Sequence, residues 1–528
     1  MAILAENDLA ELGTRRIVRT SVAPSRIRAD MDHDQGGSSV HPHVHIHNRI
    51  LRALVFGALS CASLCATLST AQVPNPTVTG PIAQPVAPGD ASRNYIFFAS
   101  NHNLPGHGYV EEEFFVSGTA TRYATPNQTS PGPASAGTVI STGNAYKTRI
   151  VVRRPATPAK FNGVVLVEWD NVTNGFDAEN VWFFNWENIM RSGYVWVGVS
   201  AQRVGVNALK AWSPTRYGTL DVTVGNTVND DSLSYDIYSQ VGQALGSPVG
   251  VDPLHGLVPT TIVATGESQS AMRLALYANS IQPLHNVYDG ILALSTLGNR
   301  IRTDLDVPFF KVLTESDIIL FNEVGIRQDD PNLAASIKFR SWEVAGTSHV
   351  DQHLRNSREP LELRDNGVST EANGLDPAPP AGCTFKPAGT RTPTTYVLSS
   401  AFDKMVKWIQ TGTRPPYAPP ITIATGSTPV RNSLGLAQGG IQLSQMVVPT
   451  RINSGLNVGP GACNRWGYSL AMDPAVVQSM YPDALSYFFK VAQVDKANVV
   501  AGYILQADMV ANMTRAAQFD ISGIYDGP

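Results

Sequence analysis

Gly266-Glu267-Ser268-Gln269-Ser270 sets a serine between small residues two positions before and two after it. Residues 261–265 read as a buried strand and residues 270–278 as a helix, so Ser268 falls where one runs into the other. A serine on so sharp a turn presents its hydroxyl clear of the backbone, as a nucleophile must. Gly266 meets the demand for a tiny residue before it, and Ser270 stands where a second glycine is usual. The pentapeptide alone reads equally as an ordinary turn with a serine capping a helix; the strand before it favours the nucleophile.

A serine hydroxyl needs a base, and the base needs a group to orient it. Residues 309–313 and 339–344 read as two further strands. Asp317 lies just past the first and His349 just past the second, in the order serine, acid, histidine. Open parallel sheets place their sites at such carboxyl ends. Glu315 competes with Asp317 for the acid role; Asp317 is preferred because it lies beyond the strand end. His353, four residues after His349, suggests a helical metal pair with Asp351, but a third ligand is wanting, so no metal is expected. Asp351 and His353 are expected to be solvated or supporting residues. The negative charge of an acyl-transfer intermediate needs two backbone N–H groups. Gln269, after the serine, is one expected donor, and Asn171, in the loop 168–175, is the other. Asn171 and Thr173 also suit plain turn chemistry.

These residues need a scaffold. Strand-like stretches at 109–123, 146–153, 163–167, 194–199 and 291–294 alternate with helical stretches at 178–190 and 231–245. Such alternation predicts a mostly parallel sheet covered by helices on both faces. Residues 399–410 read as an amphipathic helix ended by Thr411-Gly412 and a proline-rich stretch. Residues 482–516 read as helical. The segment 355–528 is expected to pack over the same core. Trp169, Phe176, Trp182, Phe183, Phe184 and Trp186 either line an apolar acyl pocket or fill the core.

Composition excludes several classes. The 528 residues are 43% hydrophobic, with 44 Gly and 36 Pro, which suits a loop-rich globular enzyme. A net charge of −4 gives no basic face for nucleic acid. Residues 1–71 read as a leader: Arg49 and Arg52, then an uncharged run at 53–68, then small residues ahead of a cleavage point after Ala71. The run is short for a membrane span. The start site is expected at Met31 or later, and His41, His43, His45 and His47 form a tract that is removed with the leader or binds metal. Residues 72–92 read as a Pro-rich linker or arm and 93–528 as the catalytic domain. Cys61 and Cys65 fall in the leader, leaving Cys383 and Cys463 as one expected disulfide of an exported protein.

The segments VEWDNVTNGFD (167–177), GYVWVGVSAQRVGV (193–206), TGESQSA (265–271), LTESD (313–317), WEVAGTSHVD (342–351) and VKWIQTGTRPPYAP (406–419) resemble those of a bacterial α/β-hydrolase-domain family. In that family the elbow reads G-x-S-Q-S, so Ser270 follows its pattern. The resemblance implies an α/β-hydrolase fold and an esterase-like hydrolase with Ser268 and His349 in triad roles; the leader and the cysteine usage make a secreted or periplasmic location the expectation. No cofactor is expected. The expected partner is a small-molecule or polymeric ester, with no nucleic acid and no stable membrane insertion after leader cleavage. Acyl transfer, amide hydrolysis and a non-catalytic binding protein on the same scaffold are the alternatives.

Overall fold

The computed structural model describes residues 73–127, 132–296, 298–367, 382–460 and 462–519. The expected leader, the histidine tract and the expected start site lie outside them. The short β1 (Thr77–Thr79) joins long hairpin strands β2 (Tyr109–Ala124) and β3 (Thr138–Pro155). Then come β4 (Val164–Trp169), β5 (Val195–Val199), β6 (Val249–Gly250), β7 (Thr261–Glu267), β8 (Gly290–Leu294), β9 (Phe309–Thr314) and β10 (Phe339–Val344). They form one sheet in the order β10-β9-β8-β7-β4-β5-β3-β2-β1-β6. From β10 to β5 every pair is parallel; β3 and β2 turn antiparallel toward the edge.

The sequence explains the division. β4, β5, β8 and β9 are buried at every position, as strands covered on both faces must be. β2 is buried over only part of its length, with Thr119 and Ala124 exposed. The expected strands are all present, and the expected 146–153 strand is the inner part of a longer β3. Helices fall at Asn180–Ser192, Ser234–Gly246 and Gln269–Ser280, near the expected positions. Two others, Arg203–Trp212 and Gln352–Asn366, were not anticipated.

The sheet positions the site through its chain order. After β4 the chain moves to β5, on one side; after β7 it moves to β8, on the other. The loops leaving β4 and β7 therefore diverge, and a crevice opens between the carboxyl ends of these adjacent strands.

The late segment packs as expected. Helix Thr394–Thr411 lies against the sheet closely enough that a Cβ on Gly290 would stand 2.6 Å from Met405 Cε. Further on, Val448, Met472, Val477, Tyr481, Val491 and Ala516 form a smaller apolar cluster. Cys383 and Cys463 are joined by a disulfide, with Cα atoms 5.5 Å apart across 80 residues. Part of the Pro-rich arm is not free: Thr77–Thr79 pairs with β2. Among the described residues, no helix is long and apolar enough to cross a membrane.

Candidate active site

β7 ends at Glu267 and the helix Gln269–Ser280 begins two residues later. Ser268, between them, has φ 58° and ψ −118°. A non-glycine residue held there stores about 1–3 kcal/mol of strain. The neighbours show what sustains it. A Cβ on Gly266 would lie 2.9 Å from Ser270 Oγ and 3.2 Å from Leu274, so only glycine fits at that position without a shift. Ser270 Oγ donates to Glu267 O at 2.8 Å and accepts from Glu267 N at 3.1 Å. The serine that replaces a second glycine thus clamps the turn.

β9 and β10 deliver the other two groups. Thr314 caps the short helix Glu315–Leu320: its Oγ1 accepts the Asp317 N–H, and Asp317 Oδ2 accepts the Thr314 N–H at 2.8 Å. This capping box fixes the Asp317 carboxylate. Its other oxygen, Oδ1, is 2.7 Å from His349 Nδ1, and His349 Nε2 is 2.9 Å from Ser268 Oγ. Because a carboxylate only accepts, Nδ1 carries the proton and Nε2 is left to accept from the serine. Ser316 Oγ accepts the His349 backbone N–H at 2.7 Å and steadies the loop. All three side chains are buried, Ser268 at 8% exposure and His349 at 6%.

Glu315 is occupied elsewhere. Its Oε1 accepts from Arg431 at 2.6 Å and its Oε2 from the Gly346 N–H at 2.8 Å.

Asn171 does not have the free N–H expected of it. Its backbone N–H donates to Ala178 O at 2.9 Å, closing the loop after β4. Its side-chain amide donates to Glu267 O at 2.9 Å. The Thr173 N–H is taken by Asn171 Oδ1 at 2.8 Å. Within residues 171–174 the N–H groups of Val172 and Asn174 remain without a protein acceptor among the described residues. Gln269 opens its helix, so its N–H belongs to the unbonded first turn.

Buried hydrogen bonds and ion pairs tie the strands and the helix around the loop. Glu168, at the end of β4, accepts the Val181 and Trp182 N–H groups at 2.7 and 3.0 Å, and so caps the helix Asn180–Ser192. Arg153 pairs with Glu179 at 2.6 Å and Arg149 with Glu113 at 3.2 Å, all buried.

The sequence reading passed over Glu267 except as a member of the pentapeptide. Its Oε1 stands 3.4 Å from His349 Nε2, and its Oε2 accepts from Asn180 at 2.8 Å. Burial lifts its carboxyl to about 7, against the pull of His349 and Asn180. Burial also opposes the His349 imidazolium, but Glu267 and then Asp317 outweigh it and raise His349 above its ordinary value.

Ser268 and His349 open on a small pocket. Its wall is polar, with Asn171, Thr173, Asn174, Asn180, Glu267, Arg358 and Arg465 against Val350 and Leu354. None of the six aromatics near the loop lines it. Trp169 packs on Tyr235 and Tyr238, Trp182 on Trp196, and Trp186 stacks on His102. Of the two readings of these aromatics, the structure favours the core. Asp351 caps the helix Gln352–Asn366 by accepting from Leu354 N. Among the described residues, no group of three His, Cys, Asp or Glu is placed to hold a metal.

A family model described as alpha/beta hydrolase domain matches residues 78–514. The chain belongs to that family. Its mostly parallel sheet flanked by helices agrees with the fold that the sequence resemblance implied. No curated protein matches the chain. Solved structures similar to this α/β-hydrolase chain include esterase Est22, at 12% identity and TM-score 0.31, covering 52% of this chain and 83% of that one. An α/β serine hydrolase without a lid from Xanthomonas campestris is similar at 13% identity and TM-score 0.26, covering 47% and 93%. An esterase from Rhizomucor miehei is similar at 10% identity and TM-score 0.27, covering 47% and 82%.

Proposed function

We propose that this α/β-hydrolase-domain protein is an exported serine esterase with Ser268 as nucleophile, His349 as base and Asp317 as the acid that orients it. The observation that carries the reading is the unbroken line from Asp317 Oδ1 to His349 Nδ1 at 2.7 Å and from His349 Nε2 to Ser268 Oγ at 2.9 Å. Along that line Ser268 Oγ attacks the ester carbonyl while its proton passes to Nε2. The ester C–O bond then breaks, and the alcohol leaves with that proton. Water, deprotonated by Nε2, attacks the acyl-enzyme, releasing the acid and restoring the serine. The oxyanion is held by the Gln269 N–H and by one from the Val172–Asn174 stretch.

Export rests on the leader at residues 1–71, and the Cys383–Cys463 disulfide supports it, since such bonds persist in oxidising compartments. The test is turnover across short-chain, long-chain, aromatic and lactone esters by the wild type and Ser268→Ala. Turnover lost in the variant supports the reading; turnover equal in both contradicts it.

A further inference from the structure

Arg465 distinguishes this pocket from a general acyl-binding cleft. It lies in the helical turn Cys463–Trp466, two residues after a disulfide cysteine. Its carbonyl accepts the Val350 N–H at 3.0 Å, and the next carbonyl, of Trp466, accepts from Ser348 Oγ at 2.9 Å. The turn is thus fastened to both sides of His349. The Arg465 side chain lines the pocket beside Ser268 and His349.

Nearby guanidinium groups are compensated. Arg431 pairs with Glu315, Arg358 with Glu362 at 3.1 Å, and Arg273 with Asp231 at 3.2 Å. Arg465 has no carboxylate partner among the described residues. Its charge opposes protonation of His349, so it disfavours the imidazolium that forms as Ser268 attacks. A bound anion would cancel that opposition. Glu267 also lines the pocket, but its carboxyl is engaged by His349 and Asn180, which leaves the Arg465 guanidinium for a ligand, and that group's planar fork matches a carboxylate.

We propose that the substrate is an ester carrying a carboxylate, such as a half-ester of a short dicarboxylic acid, held in the polar pocket by the Arg465 guanidinium. This rests on the esterase reading and narrows it. It also accounts for a wall with few apolar side chains, where a long alkyl or aromatic acyl group would find little to bury against.

The test compares the rates at which two matched phosphonate probes label Ser268. One carries a terminal carboxylate and the other its methyl ester. In the wild type the anionic probe should react about 10- to 100-fold faster, the worth of a charge-assisted hydrogen bond. Arg465→Gln should remove that preference, and Arg465→Lys should restore part of it. Equal rates in the wild type, or an anionic preference that survives in Arg465→Gln, would overturn the carboxylate assignment and leave the serine esterase standing. Failure of both probes to label folded wild-type protein would overturn the esterase reading as well.

Discussion

Two buried acidic regions flank the site, and they handle their charge differently. On the β2–β4 side of the sheet, Glu113 and Glu179 are matched to Arg149 and Arg153, and Glu168 accepts the N–H groups that start a helix. Past β9, Glu315 meets Arg431, but Asp317, equally buried, meets a histidine whose far nitrogen reaches a strained serine. Burial alone therefore does not mark chemistry here. A carboxylate matched to a guanidinium or to helix N–H groups holds structure, whereas one matched to an imidazole can set a tautomer and stabilise a transient positive charge.

The sharpest way to break that comparison lies within one turn of helix. Asp317→Asn should lower kcat by about 10³- to 10⁴-fold with the fold intact, because the histidine loses its orienting acceptor. Glu315→Gln should leave folded molecules turning over, and its cost should appear as about 1–3 kcal/mol in denaturant unfolding, softened by the partial exposure of Arg431. A crippled Glu315→Gln enzyme beside an active Asp317→Asn enzyme would exchange the two roles.

In the arginine-matched region the expected losses are of stability. Glu179→Gln leaves Arg153 with less compensation in a buried setting and should cost about 3 kcal/mol, while the folded fraction keeps its reactivity toward a serine probe. Replacing Cys383 and Cys463 together by serine opens a loop of 80 residues and should cost about 2–5 kcal/mol by denaturant titration.

The smallest effect is a pH shift. His349 must be neutral to accept the serine proton, so kcat/KM falls as pH drops through its raised pKa, which puts the acid limb above that of an ordinary histidine. Glu267→Gln removes a carboxylate that favours the imidazolium, so the limb should move to lower pH. Glu267 itself titrates at about 7, so its pull fades as the pH falls, which keeps the shift small. A limb that moves upward would give Glu267 another role.

The features legible in the sequence are those written locally. Ser268, Asp317 and His349 each follow a short strand-like run, and a strand end is visible in the residues just before it. Glu315 and Asp317 could be ranked by distance from the strand end, although what separates them, Arg431, lies 116 residues away. Asn171 misled because the Ala178 carbonyl that takes its N–H belongs to a turn with no strong local signature. The helix Gln352–Asn366 was obscured by its polar surface and by Pro360 in its interior. Arg465 left no local trace at all: its meaning depends on which charges fail to reach it.

The account's central claim is that Ser268 is an activated nucleophile. Reacting the full-length protein with a fluorophosphonate and reading intact mass tests it most directly. The wild type should gain one adduct, located on the peptide holding Ser268, and Ser268→Ala should gain none. Folded wild-type protein that stays unlabelled, or a variant that labels as well as the wild type, would contradict it.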